Sequence, residues 1–244
     1  MALVCVLAVP AWAAPQARTD SDPTRPILFS IRPEFYRVAD GPWRAQVIGR
    51  YDQAMLRDRR WLGGKRGLLL RVEVPVASAD AAAVQRASGL GDSYAQFLMI
   101  PRLSGRFAFA AGSGLVIPTA TSTVLGGGRW TLAPTVVPVW FLRGIGLAFV
   151  TVQDYVSIAG DARRLSTHFL RVTPTFIRTV GPGTWILLDT EAKTDWRTRR
   201  TIVKSGVQLG HARPDGAGVW IKPEVSWGER AGDWTMKTGI VWYR

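Results

Sequence analysis

Apolar and polar residues alternate with a period of two from residue 26 onward, in segments of roughly ten residues. Gly, Pro, Asp and Ser separate these segments. Such a pattern is typical of β-strands with one face in an apolar environment, whereas an amphipathic helix repeats every 3.6 residues. The Ala-rich stretch Ala77–Ala87 is the one part of the chain that favours a helix. We therefore predict an all-β fold.

The last segment, Trp234–Tyr243, shows the alternation most clearly. One face is apolar with a Trp near each end, and it comprises Trp234, Met236, Thr238, Ile240 and Trp242. Aromatic residues at both ends of an apolar face are typical of a strand that crosses a lipid bilayer. Segments 67–74, 166–177, 200–209 and 219–227 alternate similarly. Two segments fit poorly: 136–142 is apolar on both faces, and 185–193 carries Asp189 and Glu191 on the face of Trp185 and Leu187.

The segments number about twelve, an even number as in bacterial outer-membrane barrels. A run of 18 apolar residues, which a membrane helix needs, does not occur after the N-terminal segment. A chain that crosses a membrane without such a helix must close into a barrel. We predict a closed antiparallel transmembrane β-barrel over residues 26–244, in the bacterial outer membrane, with strands near 26–37, 43–54, 66–75, 91–102, 106–117, 129–141, 146–157, 165–178, 184–195, 200–211, 217–228 and 233–243.

Connections of different length separate the strands. The links at 104–106, 143–145 and 180–183 are tight, while those at 76–89 and 118–128 are long. Short periplasmic turns and longer outer loops give this rhythm. The long link at 54–65 breaks it, because it should fall on the periplasmic side.

Residues 1–14 resemble a secretory signal that ends on the small-x-small pattern Ala11-Trp12-Ala13. The basic residue that usually precedes the apolar run is missing, as it would be if the sequence began inside the signal. The alternative is a buried N-terminal strand or helix. Residues 15–25 then form an N-terminal extension. The single cysteine, Cys5, lies inside the signal, so cleavage would leave a mature chain without a thiol.

Composition agrees with a membrane interface. The chain has 11 Trp, and indole rings are enriched where lipid meets water. The net charge of +13 comes from Lys and Arg scattered singly along the strands, without a recognisable nucleic-acid motif. We expect outer-membrane lipid and the barrel-assembly machinery as partners, and no nucleic acid.

Several short motifs resemble one family of outer-membrane proteins. They are Gly89-Leu90-Gly91-Asp92, Pro118-Thr119-Ala120-Thr121, Leu125-Gly126-Gly127-Gly128-Arg129-Trp130 with Pro134 shortly after, and Asp195-Trp196. This series is similar to the family named for the MetA pathway of phenol degradation, which is grouped with outer-membrane transporters. The resemblance implies a barrel and the passage of small, often hydrophobic compounds. The chain departs from the family pattern at Arg129, at Ala133 and in its terminal Arg244.

Turn chemistry accounts for these motif residues without a ligand. The glycines permit tight bends or close strand approach, Pro118 ends a strand at a rim, and Asp92 can cap a turn. We therefore assign structural roles to Gly89, Gly91, Asp92, Pro118, Thr119, Thr121, Gly126, Gly128, Trp130, Pro134, Asp195 and Trp196.

Candidate chemistry is sparse. The chain has two histidines and no metal-ligand spacing, so we expect neither a metal nor a cofactor. One pair has catalytic residue types: Ser166 and His168 share a strand face, as a nucleophile and base would in a lipid-hydrolysing barrel. A third, orienting residue is not identifiable from the sequence.

The polar strand faces carry charges of both signs. We expect these residues to line the lumen: Arg71, Glu73, Arg171, Lys204, Lys222, Glu224 and Lys237, with Arg32 and Glu34 on the first strand. Opposite charges on neighbouring strands can pair across the sheet. The sequence favours a non-enzymatic channel or transporter for an unknown small molecule. The alternatives are a barrel hydrolase that uses Ser166 and His168, and a filled, non-conducting barrel.

Overall fold

A computed structural model describes residues 28–37, 43–55, 66–81, 85–101 and 106–243. The predicted signal, the N-terminal extension and most of the link at 54–65 lie outside these ranges. Within them the chain forms thirteen strands and one short 3-10 helix, Gly228–Arg230. The strands are β1 (Phe29–Arg37), β2 (Trp43–Met55), β3 (Arg66–Ala81), β4 (Gln85–Leu90), β5 (Ser93–Pro101), β6 (Phe107–Ile117), β7 (Arg129–Leu142), β8 (Gly146–Gly160), β9 (His168–Gly181), β10 (Thr184–Asp195), β11 (Thr201–Ala212), β12 (Ala217–Trp227) and β13 (Trp234–Trp242).

All strand pairs are antiparallel, and the sheet closes where β1 pairs with β13, with Phe29 opposite Trp242. Strands β4 and β5 both pair with β3, one after the other along its length, and so share one position in the wall. The result is a closed barrel of twelve strands, which confirms the predicted fold. Of the described residues, none forms a helix long and apolar enough to cross a membrane.

The described residues of the Ala-rich stretch Ala77–Ala87 form strands, so the helix interpretation is wrong for them. Its described residues extend β3 and form β4, and Ala79 lies opposite Ala87. The described residues of the link expected at 76–89 are therefore paired strands. Ala77 and Ala79 face inward and pack against Leu125, which stabilises an extended backbone where propensity alone favours a helix.

The two faces of the wall differ as the alternation predicts. In β12, the residues Val219, Ile221 and Val225 are exposed, while Lys222 and Glu224 between them are buried. The exposed face is therefore the lipid face, and the buried face lines the lumen. Exposed tryptophans lie near the strand ends, as an aromatic girdle requires, and include Trp130, Trp140, Trp196, Trp227, Trp234 and Trp242.

The two rims of the barrel differ in their connections. Residues 143–145, 182–183 and 213–216 connect strands at the rim where β1 begins and β13 ends. Longer connections, 118–128, 161–167 and 228–233, lie at the opposite rim. Bacterial barrels have short periplasmic turns and longer extracellular loops. We therefore name the first the periplasmic rim and the second the outer rim.

Candidate functional site

Apolar side chains pack together on the inner face near the periplasmic rim, and we name them the apolar layer. Two of its members, Trp185 and Leu187, are 0% exposed. Strands close to their periplasmic ends contribute all of its members: Ala108, Ala110, Val137, Val139, Phe149, Ile177, Trp185, Leu187, Trp220 and Val241. This layer explains both poorly fitting segments. Segment 136–142 faces lipid on one side and the apolar layer on the other, whereas the inner face of 185–193 runs from the apolar layer at Trp185 and Leu187 to ion-paired Asp189 and Glu191.

Two indole rings of the apolar layer lie over glycines of neighbouring strands. Trp185 is opposite Gly210, Gly210 is opposite Trp220, and Trp220 is opposite Gly239. A Cβ at Gly210 would lie 2.1 Å from the Trp185 ring, and one at Gly239 would lie 2.3 Å from the Trp220 ring. Both tryptophans therefore need glycine beside them to fit inside the wall.

Between the apolar layer and the outer rim, charged residues on the inner face form a band, which we name the charged band. On one side, three lysines surround Glu224. Its carboxylate lies 2.9 Å from Lys222 Nζ, 2.8 Å from Lys237 Nζ and 4.0 Å from Lys204 Nζ. Lys222 also contacts Asp189 at 2.5 Å. The lysines predicted to line the lumen thus converge on shared carboxylates.

The charged band continues on the neighbouring strands β1 to β3 around Asp52, which is 0% exposed. Arg50 and Arg71 each donate two hydrogen bonds to its carboxylate, at 2.6 to 3.1 Å. Beside it, Arg32 lies 2.6 Å from Glu34 and 3.6 Å from Glu73. Two carboxylate-centred clusters therefore hold most of the fixed charge in the lumen.

The third part of the charged band joins Arg171 to polar neighbours. Arg171 Nη1 lies 3.8 Å from Glu191, and Nη2 donates to Gln153 and to the Tyr155 hydroxyl. All seven residues predicted to line the lumen thus lie on the inner face, within three separate clusters. The sequence analysis missed Arg50, Asp52, Gln153 and Tyr155, which are buried on β2 and β8. Polar Gln53 and Asp154 interrupt the alternation beside three of them.

Near the outer rim, the connection 118–128 folds against the wall, and we name it the rim loop. Asp92, between β4 and β5, accepts hydrogen bonds from the backbone of Gly127 at 2.6 Å and Ala120 at 3.3 Å. Thr119 Oγ1 donates to the Gly91 carbonyl at 2.8 Å. Leu125 is buried against β3. The structure therefore brings three of the four sequence motifs together at one point.

The remaining motif residues also occupy structural positions. A Cβ at Gly89 would lie 2.1 Å from Thr121 Oγ1, and one at Gly126 would lie 2.4 Å from Asp92. Gly128 has a φ of 65°.

Pro118 directly follows β6, and Trp130 and Pro134 are exposed on β7. Asp195 ends β10 and accepts from the backbone of Arg197 and Thr198, while Trp196 Nε1 donates to Asp154 at 3.0 Å.

Between the rim loop and the wall lies a cavity of about 410 Å³, which we name the outer pocket. Strands β2, β3 and β5, Asp92 and the rim loop line it. Its lining is mixed: Arg44, Gln46, Glu73, Asp92 and Tyr94 are polar, while Ile48, Pro75, Val124, Leu125 and the glycines 126 and 127 supply the rest. This volume lies within the usual range for small-molecule sites.

Ser166 and His168 lie at the outer rim without a hydrogen bond between them. Arg197 Nη1 donates to Ser166 Oγ at 2.8 Å, and His168 Nε2 lies 3.6 Å from Asp154. The serine is therefore held by an arginine instead of being positioned by a base. Among the described residues there is also no group of three or more potential metal ligands.

Solved structures with the same fold come from bacterial outer membranes. The outer membrane channel from Pseudomonas putida F1 is 13% identical, with a TM-score of 0.70 over 93% of this chain and 100% of that one. The NanC porin is 8% identical, with a TM-score of 0.58 over 88% of this chain and 100% of that one. The fold is that of an outer-membrane barrel, in agreement with the predicted location.

Outer membrane phospholipase A from Escherichia coli shares the fold as well, at 9% identity and a TM-score of 0.53, over 92% of this chain and 94% of that one. At this identity the likeness concerns the fold alone. No family model matches the chain, and no curated protein matches it. The resemblance to the phenol-degradation family is therefore not confirmed at the level of the family.

Proposed function

We propose that this barrel is a passive outer-membrane channel for small molecules. The outer pocket is its entrance, the charged band its middle section and the apolar layer its narrowest part. The main support for this proposal is the position of the outer pocket, which lies on the inner side of the barrel wall at the outer rim. Glu73 lines the pocket and lies 3.6 Å from Arg32, so the pocket borders the charged band directly.

The proposed path changes character along its length. The outer half is polar and holds a cavity, whereas the periplasmic end is packed with apolar side chains. Hydrophobic constrictions can gate a pore by excluding water. The channel and the porin with the same fold support a role in passage, and the substrate proposed here is limited to small solutes.

Proteoliposome swelling tests the proposal. Purified protein, shown to be folded by its faster migration before boiling, is reconstituted and diluted into isotonic solutions of glycine, arabinose or a trisaccharide. We expect glycine and arabinose to enter faster than in protein-free liposomes, with the trisaccharide excluded because the apolar layer is narrow. Swelling no faster than in protein-free liposomes, with folded protein present, would refute the channel.

A filled, non-conducting barrel is the second candidate, since the apolar layer leaves Trp185 and Leu187 inaccessible to water. In that case the ion clusters and the apolar layer serve only to stabilise the wall. The same swelling assay separates the two functions, because the filled barrel predicts no solute entry at any size.

A further inference from the structure

Arg44 stands apart from the other lumen arginines in its contacts. Its Nη2 donates to Gln46 Oε1 and to the Leu125 carbonyl, both at 3.4 Å, which is long for a hydrogen bond. Its Nε is buried without a hydrogen-bond partner. The guanidinium therefore retains donor capacity inside the outer pocket that the described protein groups do not use.

The arginines of the charged band, in contrast, all contact carboxylates. Arg50 and Arg71 share Asp52, and Arg171 lies 3.8 Å from Glu191. No described carboxylate lies within ion-pair distance of Arg44. A guanidinium keeps its charge at any physiological pH, and a partly buried charge is favourable only when it is paired.

The two acids of the outer pocket already have other partners. Glu73 lies 3.6 Å from Arg32, and both carboxylate oxygens of Asp92 accept backbone N–H groups of the rim loop. Their negative charge still lies in the pocket wall. It disfavours a dianion such as phosphate, and leaves a single negative charge as the best match to Arg44.

The rest of the lining suits an apolar body attached to that charge. Ile48, Pro75, Val124 and Leu125 supply apolar surface. The Tyr94 hydroxyl accepts from Gln153 at 3.1 Å and can donate its own proton. We infer that the outer pocket binds small monocarboxylates with an apolar body, and that Arg44 holds the carboxylate. This inference rests on the proposed channel and names the substrate class of its entrance.

Calorimetric titration of the folded, detergent-solubilised protein with benzoate tests the site, with benzamide as the neutral probe of the same shape. We expect benzoate to bind at least about tenfold more tightly than benzamide, because a hydrogen bond to a charged group contributes that much. Arg44→Gln should lower the affinity for benzoate by at least about tenfold and leave the affinity for benzamide unchanged. Arg44→Lys keeps the charge and loses the forked geometry. Its affinity for benzoate should lie between those of the natural chain and Arg44→Gln.

Lys193→Gln is the matched control. Lys193 also lies on the inner face, where its Nζ sits 3.9 Å from the Phe169 ring centre, and it does not line the outer pocket. Removing its charge should leave benzoate binding unchanged. Equal loss in Lys193→Gln and Arg44→Gln, or no loss in Arg44→Gln, would overturn the site. Heat-dependent gel migration verifies that each variant is folded.

The site and the channel can fail separately. Solute entry in the swelling assay without benzoate binding would overturn the site and leave the channel standing. Benzoate binding that depends on Arg44, without solute entry, would support the site and refute the channel.

Discussion

At the scale of single residues, the periplasmic end of the lumen depends on paired tryptophan and glycine. Trp185 and Trp220 occupy the space beside Gly210 and Gly239, where any side chain would collide with an indole ring. The Trp content of the sequence predicts interfacial aromatics, which accounts for the exposed tryptophans. These two lie inside instead, because the glycines opposite them in the register leave room for large rings.

Gly210→Ala tests this packing. The added methyl group would lie 2.1 Å from Trp185, so the ring must move, at a cost of about 1–3 kcal/mol. Gly181→Ala is the control, since a Cβ there meets nothing within 4 Å. Urea unfolding in lipid vesicles, followed by tryptophan fluorescence, should show a lower midpoint for Gly210→Ala alone. Equal midpoints for the two variants would mean that the ring is not confined.

The lumen residues show how far a sequence can predict a site of this kind. Alternation places Arg71 and Lys222 on the inner face, because a strand with one face in lipid must turn its charges inward. Their partners depend on the register between strands, which alternation does not specify. Asp52 lies directly opposite Arg71 only because β2 and β3 pair in that register. The contacts of Arg44 depend likewise on the fold of the rim loop, which supplies the Leu125 carbonyl that accepts from Arg44.

At the scale of elements, the rim loop decides the shape of the outer pocket. Asp92 interrupts the strand position shared by β4 and β5 and accepts hydrogen bonds from two loop amides. The short glycine motifs, far apart in sequence, meet at this interruption. Their structural roles could be proposed from turn chemistry, whereas their proximity could not.

Asp92→Ala should loosen the rim loop without unfolding the barrel. Loss of hydrogen bonds to a charged acceptor lowers the free energy of loop opening by about 1.5–3 kcal/mol. We expect protease cleavage within residues 118–128 at least about tenfold faster, measured on folded protein. Asp161→Ala, in the neighbouring connection where Asp161 contacts Arg163, should leave that rate unchanged. A rim loop cleaved equally slowly in both variants would contradict the anchoring role of Asp92.

The strands themselves were predictable where lipid faced one side and charges the other. Prediction was hardest where that contrast disappears. Residues 136–142 are apolar on both faces because the apolar layer replaces the charges, and the stretch 77–87 is rich in Ala, which favours a helix locally. Pairing with β4 satisfies the backbone of β3 within that stretch and overrides its helix propensity.

At the scale of the whole molecule, the barrel has an apolar exterior and a lumen that changes from polar to apolar towards the periplasmic rim. Arginine substitutions at two depths in the bilayer test the assignment of the outer face to lipid. Val207, at the middle of β11, and Val180, near the periplasmic end of β9, are each 51% exposed on the outer face.

Val207→Arg should destabilise the barrel by about 2–4 kcal/mol, because the charge enters the middle of the bilayer. Val180→Arg makes the same change near the interface, where the cost is about 0–1 kcal/mol. Reversible folding into lipid vesicles measures both free energies. A larger cost at Val180 than at Val207 would place the membrane differently along the barrel.

Single-channel recording in a planar bilayer tests the central claim most directly. The account predicts that folded protein conducts ions, and that Trp185→Ala, which removes a ring from the narrowest part, raises the unitary conductance. Val180→Arg, which changes only the lipid face, should leave it unchanged. A silent recording from protein whose gel migration shows it to be folded, for both the natural chain and Trp185→Ala, would contradict the channel.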